Sequence, residues 1–363
     1  MGQRIQSVDI LRGISIAAMI LVNTPGDWNH VYTPLLHAHW HGLTPTDLIF
    51  PFFLFIVGIS ISFAYKNAEN EKSTYKKITI RSLKLIGLGV FLNLFVPYFP
   101  FITDLNTVRI PGVLQRIGIV FFISSVLFLN FNWKTLLGIS CSTLIGYWLF
   151  TGYLNLPDGT GPTFERATNN WANYIDLQFL QNHTWQKDYD PEGILSTITA
   201  IITCLTGVLI GKILQINKKN KTSLLVLVAA VLLTSGYIWS LWYPINKALW
   251  TGSFVLVTSG WATFFLTIVY YLSDIKNIKF GRIFKYAGTN AITIYFVSSF
   301  ISKSFYLTTL NEEYSIHSYL YTNLFSDTID NAELASFLYA ITVTLFYLLM
   351  AYVMYLKKWI VKV

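Results

Sequence analysis

The sequence predicts an all-α fold: a polytopic bundle of about ten membrane-spanning helices with both termini on the cytoplasmic side. Three observations carry that expectation. Of the 363 residues, 53% are hydrophobic and only 12% are charged, against roughly 25% charged in a soluble domain. Apolar runs close to the roughly 20 residues needed to cross a bilayer recur along the whole chain. The charges between those runs alternate in sign of excess from one connection to the next. Nothing resembling an appended soluble domain stands out, so residues 1–363 read as one membrane domain.

The expected spans cover residues 8–24, 46–65, 79–97, 113–131, 135–150, 193–211, 222–241, 249–271, 283–302 and 334–356. With the N-terminus in the cytoplasm, 20 of the 26 basic residues fall on the inner side, from Arg4 and Arg12 through Lys218 and Lys219 to Lys362. Only four of the 18 acidic residues join them, Asp9, Glu69, Glu71 and Asp274. The inner side then carries +16 and the outer side −8, which recovers the net +8 of the chain. This is the positive-inside pattern, and an odd number of spans would scramble it. The basic balance therefore reports topology. It does not point to nucleic acid, because no basic patch with interleaved aromatics lies outside the inner loops.

The first span opens with Ser7-Val-Asp-Ile-Leu-Arg-Gly13. Ser7 is a candidate N-cap, and Asp9 and Arg12 are i,i+3 neighbours on one face. The segment reads as a retained span and not as a cleaved leader. It ends at Asn23, near the outer boundary, where a buried amide has to be satisfied. Between the first and second spans lie His30, His37, His39 and His41, four of the chain's six histidines. Histidine changes charge near neutral pH, which suits proton transfer or acyl carriage. On an extended backbone His37, His39 and His41 alternate onto one face, an arrangement open to metal binding. No local carboxylate or cysteine completes a ligand set, so no metal is expected. Cys141 and Cys204 sit within apolar spans and imply no disulfide.

The second span starts at Leu43-Thr-Pro-Thr-Asp-Leu48. Thr44 is a good N-cap, Pro45 fits the first helical position and Asp47 the third. Asp47 therefore has a structural explanation, and a second one as the partner that tunes a histidine. The fourth span starts at Arg109-Ile-Pro-Gly-Val-Leu-Gln-Arg-Ile-Gly118 and puts Gln115 and Arg116 at membrane depth. Arginine there is paired or functional by default. Tyr189-Asp-Pro-Glu-Gly193 repeats the cap–Pro–acid pattern before the sixth span, with Asp190 and Glu192 as candidate caps. Pro244-Ile-Asn-Lys-Ala-Leu-Trp-Thr251 brings Asn246, Lys247 and Trp250 to the outer side, and Asn290 falls within the ninth span. The outer connections 151–192 and 303–333 are too long for turns, a property of lids and binding loops.

Taken together, Ser7–Gly13, Val22–Gly26, His37–Phe55, Arg109–Gly118, Tyr189–Gly193 and Asn246–Thr251 resemble the heparan-α-glucosaminide N-acetyltransferase family. The resemblance runs from about residue 5 to 300. It implies a transmembrane enzyme that moves acetyl from cytosolic acetyl-CoA to the amine of a glucosamine-type sugar on the far side. Carried over by position, the family's active histidine falls on His37 and its catalytic asparagine on Asn23. Asp47 joins them as the histidine's partner. His39 and His41 replace small or amide residues and read as dispensable. The chain resembles a compact bacterial type without the lysosomal enzyme's N-terminal extension, which argues against heparan sulfate as its substrate. Trp40, Arg109, Gln115, Arg116, Asp190, Glu192, Asn246 and Lys247 are the candidates for holding the sugar, and Arg12 and Asn290 for holding acetyl-CoA. The implied partners are acetyl-CoA, an amino-sugar acceptor and the lipid bilayer of a bacterial inner membrane, with a homodimer admitted and nucleic acid excluded. A transporter of amino sugars or N-acetylglucosamine is the rival class. A carrier needs polar groups spread through mid-membrane, whereas here they gather in the outer third.

Overall fold

The computed structural model describes residues 5–68, 71–216, 220–310 and 314–361. Arg4, Glu69, Lys218, Lys219 and Lys362, all used in the charge tally, lie outside them. The described residues form thirteen α-helices and no strands. In chain order these are α1 (Gln6–Asn23), α2 (Pro45–Ala64), α3 (Lys72–Leu94), α4 (Val113–Asn130), α5 (Trp133–Tyr153), α6 (Trp171–Leu180) and α7 (Ile194–Gln215). They continue with α8 (Lys221–Trp239), α9 (Gly252–Tyr270), α10 (Arg282–Thr289), α11 (Ala291–Leu307), α12 (Ile316–Tyr321) and α13 (Ala332–Leu356). Eight of them are long and apolar enough to cross a membrane: α1, α2, α4, α5, α7, α8, α9 and α13. The other two expected spans correspond to α3 and α11. Helix α3 is long but carries Lys72, Lys76, Lys77, Arg81 and Lys84 in its first thirteen residues, and α11 is apolar but has 17 residues. The chain is a polytopic helical membrane protein.

The ninth expected span differs from the structure in an informative way. It is cut at Asn290 into α10 and α11. Asn290 is thus a junction residue and not mid-span. Its Nδ2 donates to the carbonyl of Trp359 (2.9 Å) and its Oδ1 accepts from the amide of Val361 (3.1 Å). The amide side chain ties the C-terminal segment to the break. Helix α10 lies against α1 at backbone distance: a Cβ at Gly288 would stand 1.9 Å from the carbonyl oxygen of Asp9.

Burial sorts the bundle into centre and rim. Helices α2, α7 and α9 bury 67%, 67% and 72% of their apolar windows, whereas α5 and α8 bury 28% and 17%. The first three are the core, and the last two present most of their surface to lipid. Helices α2 and α7 meet through a reciprocal glycine contact. A Cβ at Gly58 would lie 1.8 Å from the Cys204 carbonyl oxygen, and one at Gly207 would lie 1.9 Å from that of Phe55. Small residues that let backbones approach are the usual device of membrane helix packing. The core cluster then runs through Phe53, Leu54, Leu114, Ile117, Ala200, Cys204 and Phe254.

Two capping expectations are corrected. Ser7 does not cap α1. It lies inside the helix with its Oγ buried and unpartnered, and the carboxylate of Asp274 accepts from the amides of Gln6 (2.8 Å) and Ser7 (2.9 Å) instead. Asp190 and Glu192 do not cap α7. Asp176 of α6 accepts from the Ile194 amide at 2.9 Å, so the long connection 151–192 supplies its own helix and caps the next one. The expected cap of α2 is present: Thr44, Pro45 and Asp47 form a capping box.

Candidate active site

The site begins at that capping box. Asp47 is buried to 1% exposure of its side chain, and its Oδ2 accepts from the amides of Ala38 (3.1 Å) and Thr44 (3.0 Å) and from the Thr44 hydroxyl (3.0 Å). Its other oxygen, Oδ1, lies 2.7 Å from Nδ1 of His37. A carboxylate only accepts, so Nδ1 carries the proton, and the lone pair of the neutral imidazole is on Nε2. The His37 side chain is 51% exposed and faces a cavity of about 400 Å³. Met19, Asn23, Trp28, His39, Trp40, Arg109, Trp185, Tyr189, Glu192, Lys247 and Tyr295 also line that cavity. One residue, Asp47, thus both starts α2 and sets the tautomer of His37.

Lys247, in the connection before α9, places its Nζ 3.0 Å and 3.1 Å from the two ring nitrogens of His37 and 3.6 Å from Asp47 Oδ1. Burial pulls its pKa below the ordinary lysine value, against the opposing pull of Asp47 and Glu192. Glu192 faces the same cavity and pairs with Arg109. Burial alone would raise the Glu192 pKa, but Arg109, Arg116 and Lys247 outweigh it and hold it below the usual carboxylate range. Arg109 also grips Asp190 bidentately at 2.8 and 2.6 Å and lies over the Trp185 ring. Asp190 in turn accepts from the amides of Trp185 and Glu192, each at 2.8 Å. Asp190 orders the loop that carries Trp185, Tyr189 and Glu192 to the cavity.

The thirteen sequence-derived candidates divide by placement. Asn23, His37, Trp40, Asp47, Arg109, Glu192 and Lys247 converge on one cavity. Asn23 is exposed there, and its side chain makes no hydrogen bond among the described residues. Gln115, Arg116, Asp190 and Asn246 do not line it. Gln115 donates to the Ile110 carbonyl at 3.1 Å. Arg116 is buried, bonded to the Gly193 carbonyl (3.1 Å) and the Ser196 hydroxyl (2.6 Å), and lies over the Trp250 ring. Asn246 donates to the Trp40 carbonyl at 2.9 Å and accepts from the Leu249 amide at 2.8 Å. These four hold the scaffold. The three alternating histidines do not converge on one point: His41 turns away to Glu165 at 3.2 Å. No group of three or more His, Cys, Asp or Glu side chains able to hold a metal occurs among the described residues. Trp28, Trp185, Tyr189 and Tyr295 were not singled out from sequence.

Arg12 and Asn290 line a different cavity, of about 500 Å³, at the opposite end of the bundle. Arg12 bonds Asp9 (3.1 Å), the Gly288 carbonyl (3.1 Å) and Ser60 (2.7 Å), and Arg81 is a second guanidinium in the same lining. The two cavities meet back to back. Phe50, Val113 and Tyr295 line the His37 side, whereas Phe53, Ile117 and Ile292 line the Arg12 side. Each pair is about one helical turn apart, so the partition is roughly 5 Å thick along the axis.

Comparison with known proteins identifies the family of the chain. The model of the catalytic region of heparan-alpha-glucosaminide N-acetyltransferase matches residues 4–224, which include Asn23, His37, Asp47, Arg109 and Glu192. The Mus musculus heparan-alpha-glucosaminide N-acetyltransferase is 32% identical over 418 aligned residues, covering 98% of this chain and 60% of the relative. The Homo sapiens protein of the same name is 34% identical over 356, covering 80% and 52%. The chain thus spans somewhat more than half the length of the curated relatives it matches, and it belongs to the heparan-alpha-glucosaminide N-acetyltransferase family.

Proposed function

We propose that the chain is a transmembrane N-acetyltransferase that passes acetyl from acetyl-CoA on the cytoplasmic side to the amine of a glucosamine-type sugar on the other side. The observation that carries this reading is the Asp47–His37 pair facing one cavity directly behind a second, arginine-bearing one. The inner cavity suits the phosphates of acetyl-CoA, since Arg12 and Arg81 offer two guanidiniums there. The thioester end then needs to pass only about one helical turn to reach His37.

His37 Nε2 takes the proton as the sugar amine attacks the thioester carbonyl. Asp47 accepts from Nδ1–H throughout and stabilises the imidazolium that forms. The Asn23 amide, without a partner in the cavity, donates to the oxyanion. As the carbon–sulfur bond breaks, the imidazolium returns its proton to the departing thiolate. Glu192, Arg109 and Lys247 offer charged partners to sugar hydroxyls, and Trp40, Trp185 and Tyr189 offer ring faces. The +16 side faces the cytoplasm, in a bacterial inner membrane.

The test is purified protein in proteoliposomes with labelled acetyl-CoA and a panel of amino sugars. Acetylated sugar matched by free thiol is the expected result. Sugar crossing the bilayer unacetylated would make the chain a carrier and overturn the reading.

A further inference from the structure

The His37 cavity shares part of its wall with a neighbouring chamber. Met19, Asn23 and Tyr295 also line a smaller chamber of about 210 Å³, whose other walls carry the hydroxyls of Thr24, Ser298, Ser299, Ser302 and Tyr306 and the side chain of Lys303, whose ammonium donates to the carbonyls of Leu92 (2.8 Å) and Asn93 (3.1 Å). Thr24 and Ser302 then line a third chamber of about 400 Å³, and here the walls turn apolar: Ile301, Phe305, Leu320, Leu324, Val343 and Phe346. Its buried histidine is already satisfied. His317 Nε2 donates to the Gly26 carbonyl at 3.0 Å, and Nδ1 accepts from the Tyr339 hydroxyl at 3.1 Å. Along α13 the apolar chamber runs from Tyr339 to Tyr347, about 12 Å of helix. Phe346, within the spanning helix α13, is exposed on its flank and so faces lipid in a bilayer, and Leu324 beside the helix end is exposed as well. Polarity thus falls in three steps away from His37: several charged groups, then hydroxyls with one lysine, then hydrocarbon with an exposed apolar flank.

An acceptor arriving from water needs only the first step. A hydrocarbon chamber with a lipid-facing flank, linked to the His37 cavity through shared walls of a hydroxyl-lined chamber, suits a substrate that lives in the bilayer. We propose that the acceptor is amphipathic, an amino sugar joined to a hydrocarbon chain, with its sugar in the His37 cavity, the linkage to its chain in the serine-lined neck and the chain in the chamber between α11, α12 and α13. The proposal rests on the transferase reading and names the substrate class for it.

The experiment compares methyl and decyl glucosaminides, both with a free amine, on protein in nanodiscs. Partition into the bilayer alone favours the longer chain, so the deciding quantity is the ratio of the two kcat/KM values in chamber-filling variants. Val343→Trp and Leu320→Trp are each expected to cut that decyl-to-methyl ratio at least tenfold. An unchanged ratio in both overturns the proposal. A decyl glucosaminide with a diazirine in mid-chain gives a readout independent of turnover. Crosslinks confined to residues 320–325 and 342–347 support the chamber, and crosslinks spread over the lipid-facing α5 and α8 overturn it. Crosslinking in the chamber without acetylation of either acceptor would keep the binding site and sink the transferase reading instead.

Discussion

His37 shows how much one buried carboxylate decides. Asp47 collects three donors on Oδ2 and reserves Oδ1 for the imidazole. An asparagine there would turn an NH₂ group toward donors. Asp47→Asn is therefore expected to lower kcat by about 10²-fold or more while moving the acceptor KM little. Melting of the variant should shift modestly, because the α2 cap is weakened. A large KM rise with kcat intact would show instead that Asp47 serves binding. The neighbouring histidines separate just as sharply. His37→Ala should abolish acetyl transfer, a loss of about 10²–10⁴-fold, whereas His39→Ala and His41→Ala should keep most of it. Equal loss from His41, restored by added zinc, would instead revive a metal site. At this scale the sequence was legible where spacing was local. Thr44, Pro45 and Asp47 lie within four residues, and their capping box could be read directly. The partners of Arg109 and Arg116 lie across chain separations of 77 to 83 residues, and no periodicity encodes which loop folds back onto which helix.

Helices show the same division between local and distant information. Nine of the ten expected apolar runs became single helices, and eight of those are long and apolar enough to span a membrane, because length and hydropathy go far toward specifying a span. The break at Asn290 was not legible, since its cause is a distant segment: the carbonyl of Trp359 and the amide of Val361 occupy the Asn290 side chain. Helix α6 escaped for the opposite reason. It is short and amphipathic, and it lies in a connection read as loop. Its function as a cap leads to a pH prediction. Burial, helped by Asp190, raises the Asp176 pKa from 3.8 to about 6, despite the Ile194 amide and Arg116. A carboxyl with a raised folded pKa keeps its proton in the native state at a pH where the unfolded chain has lost it. Its penalty is absent below about 4 and grows as pH rises to about 6. Asp176→Asn keeps an acceptor for the Ile194 amide and removes the buried charge. The variant should melt higher than the parent at pH 7, with the difference vanishing near pH 4, in fluorescence-detected thermal unfolding. A difference independent of pH would show that the charge was not the cost.

Across the whole molecule, the charge asymmetry and the two back-to-back cavities give one directional device. Its orientation is testable after Cys141 is replaced by serine, with Cys204 left buried. Cysteines introduced at Thr33 and at Lys134, both exposed, should react with an impermeant thiol reagent from opposite sides of intact cells or vesicles. Reaction from one side for both would overturn the topology. Given that topology, the partition between the cavities sets the chemistry. Phe50 and Phe53, and Val113 and Ile117, face opposite cavities from adjacent turns, so under the proposed reaction a thioester in one and an amine in the other would lie about one turn apart without either substrate crossing. An acetyl group parked on His37 would sit on a side chain half open to the outer cavity. Acetylated imidazole is labile to water, and a site kept open to solvent would lose it. Direct attack by the amine avoids that loss and requires only that both substrates be bound together. Incubation of the protein with labelled acetyl-CoA alone is therefore expected to release no stoichiometric CoA. Release should begin on adding the sugar, and Asn23→Ala should slow that step without weakening acetyl-CoA binding. A burst of CoA equal to the enzyme, with label recovered on His37, would show that the acetyl group crosses the partition in two steps, with the imidazole as carrier.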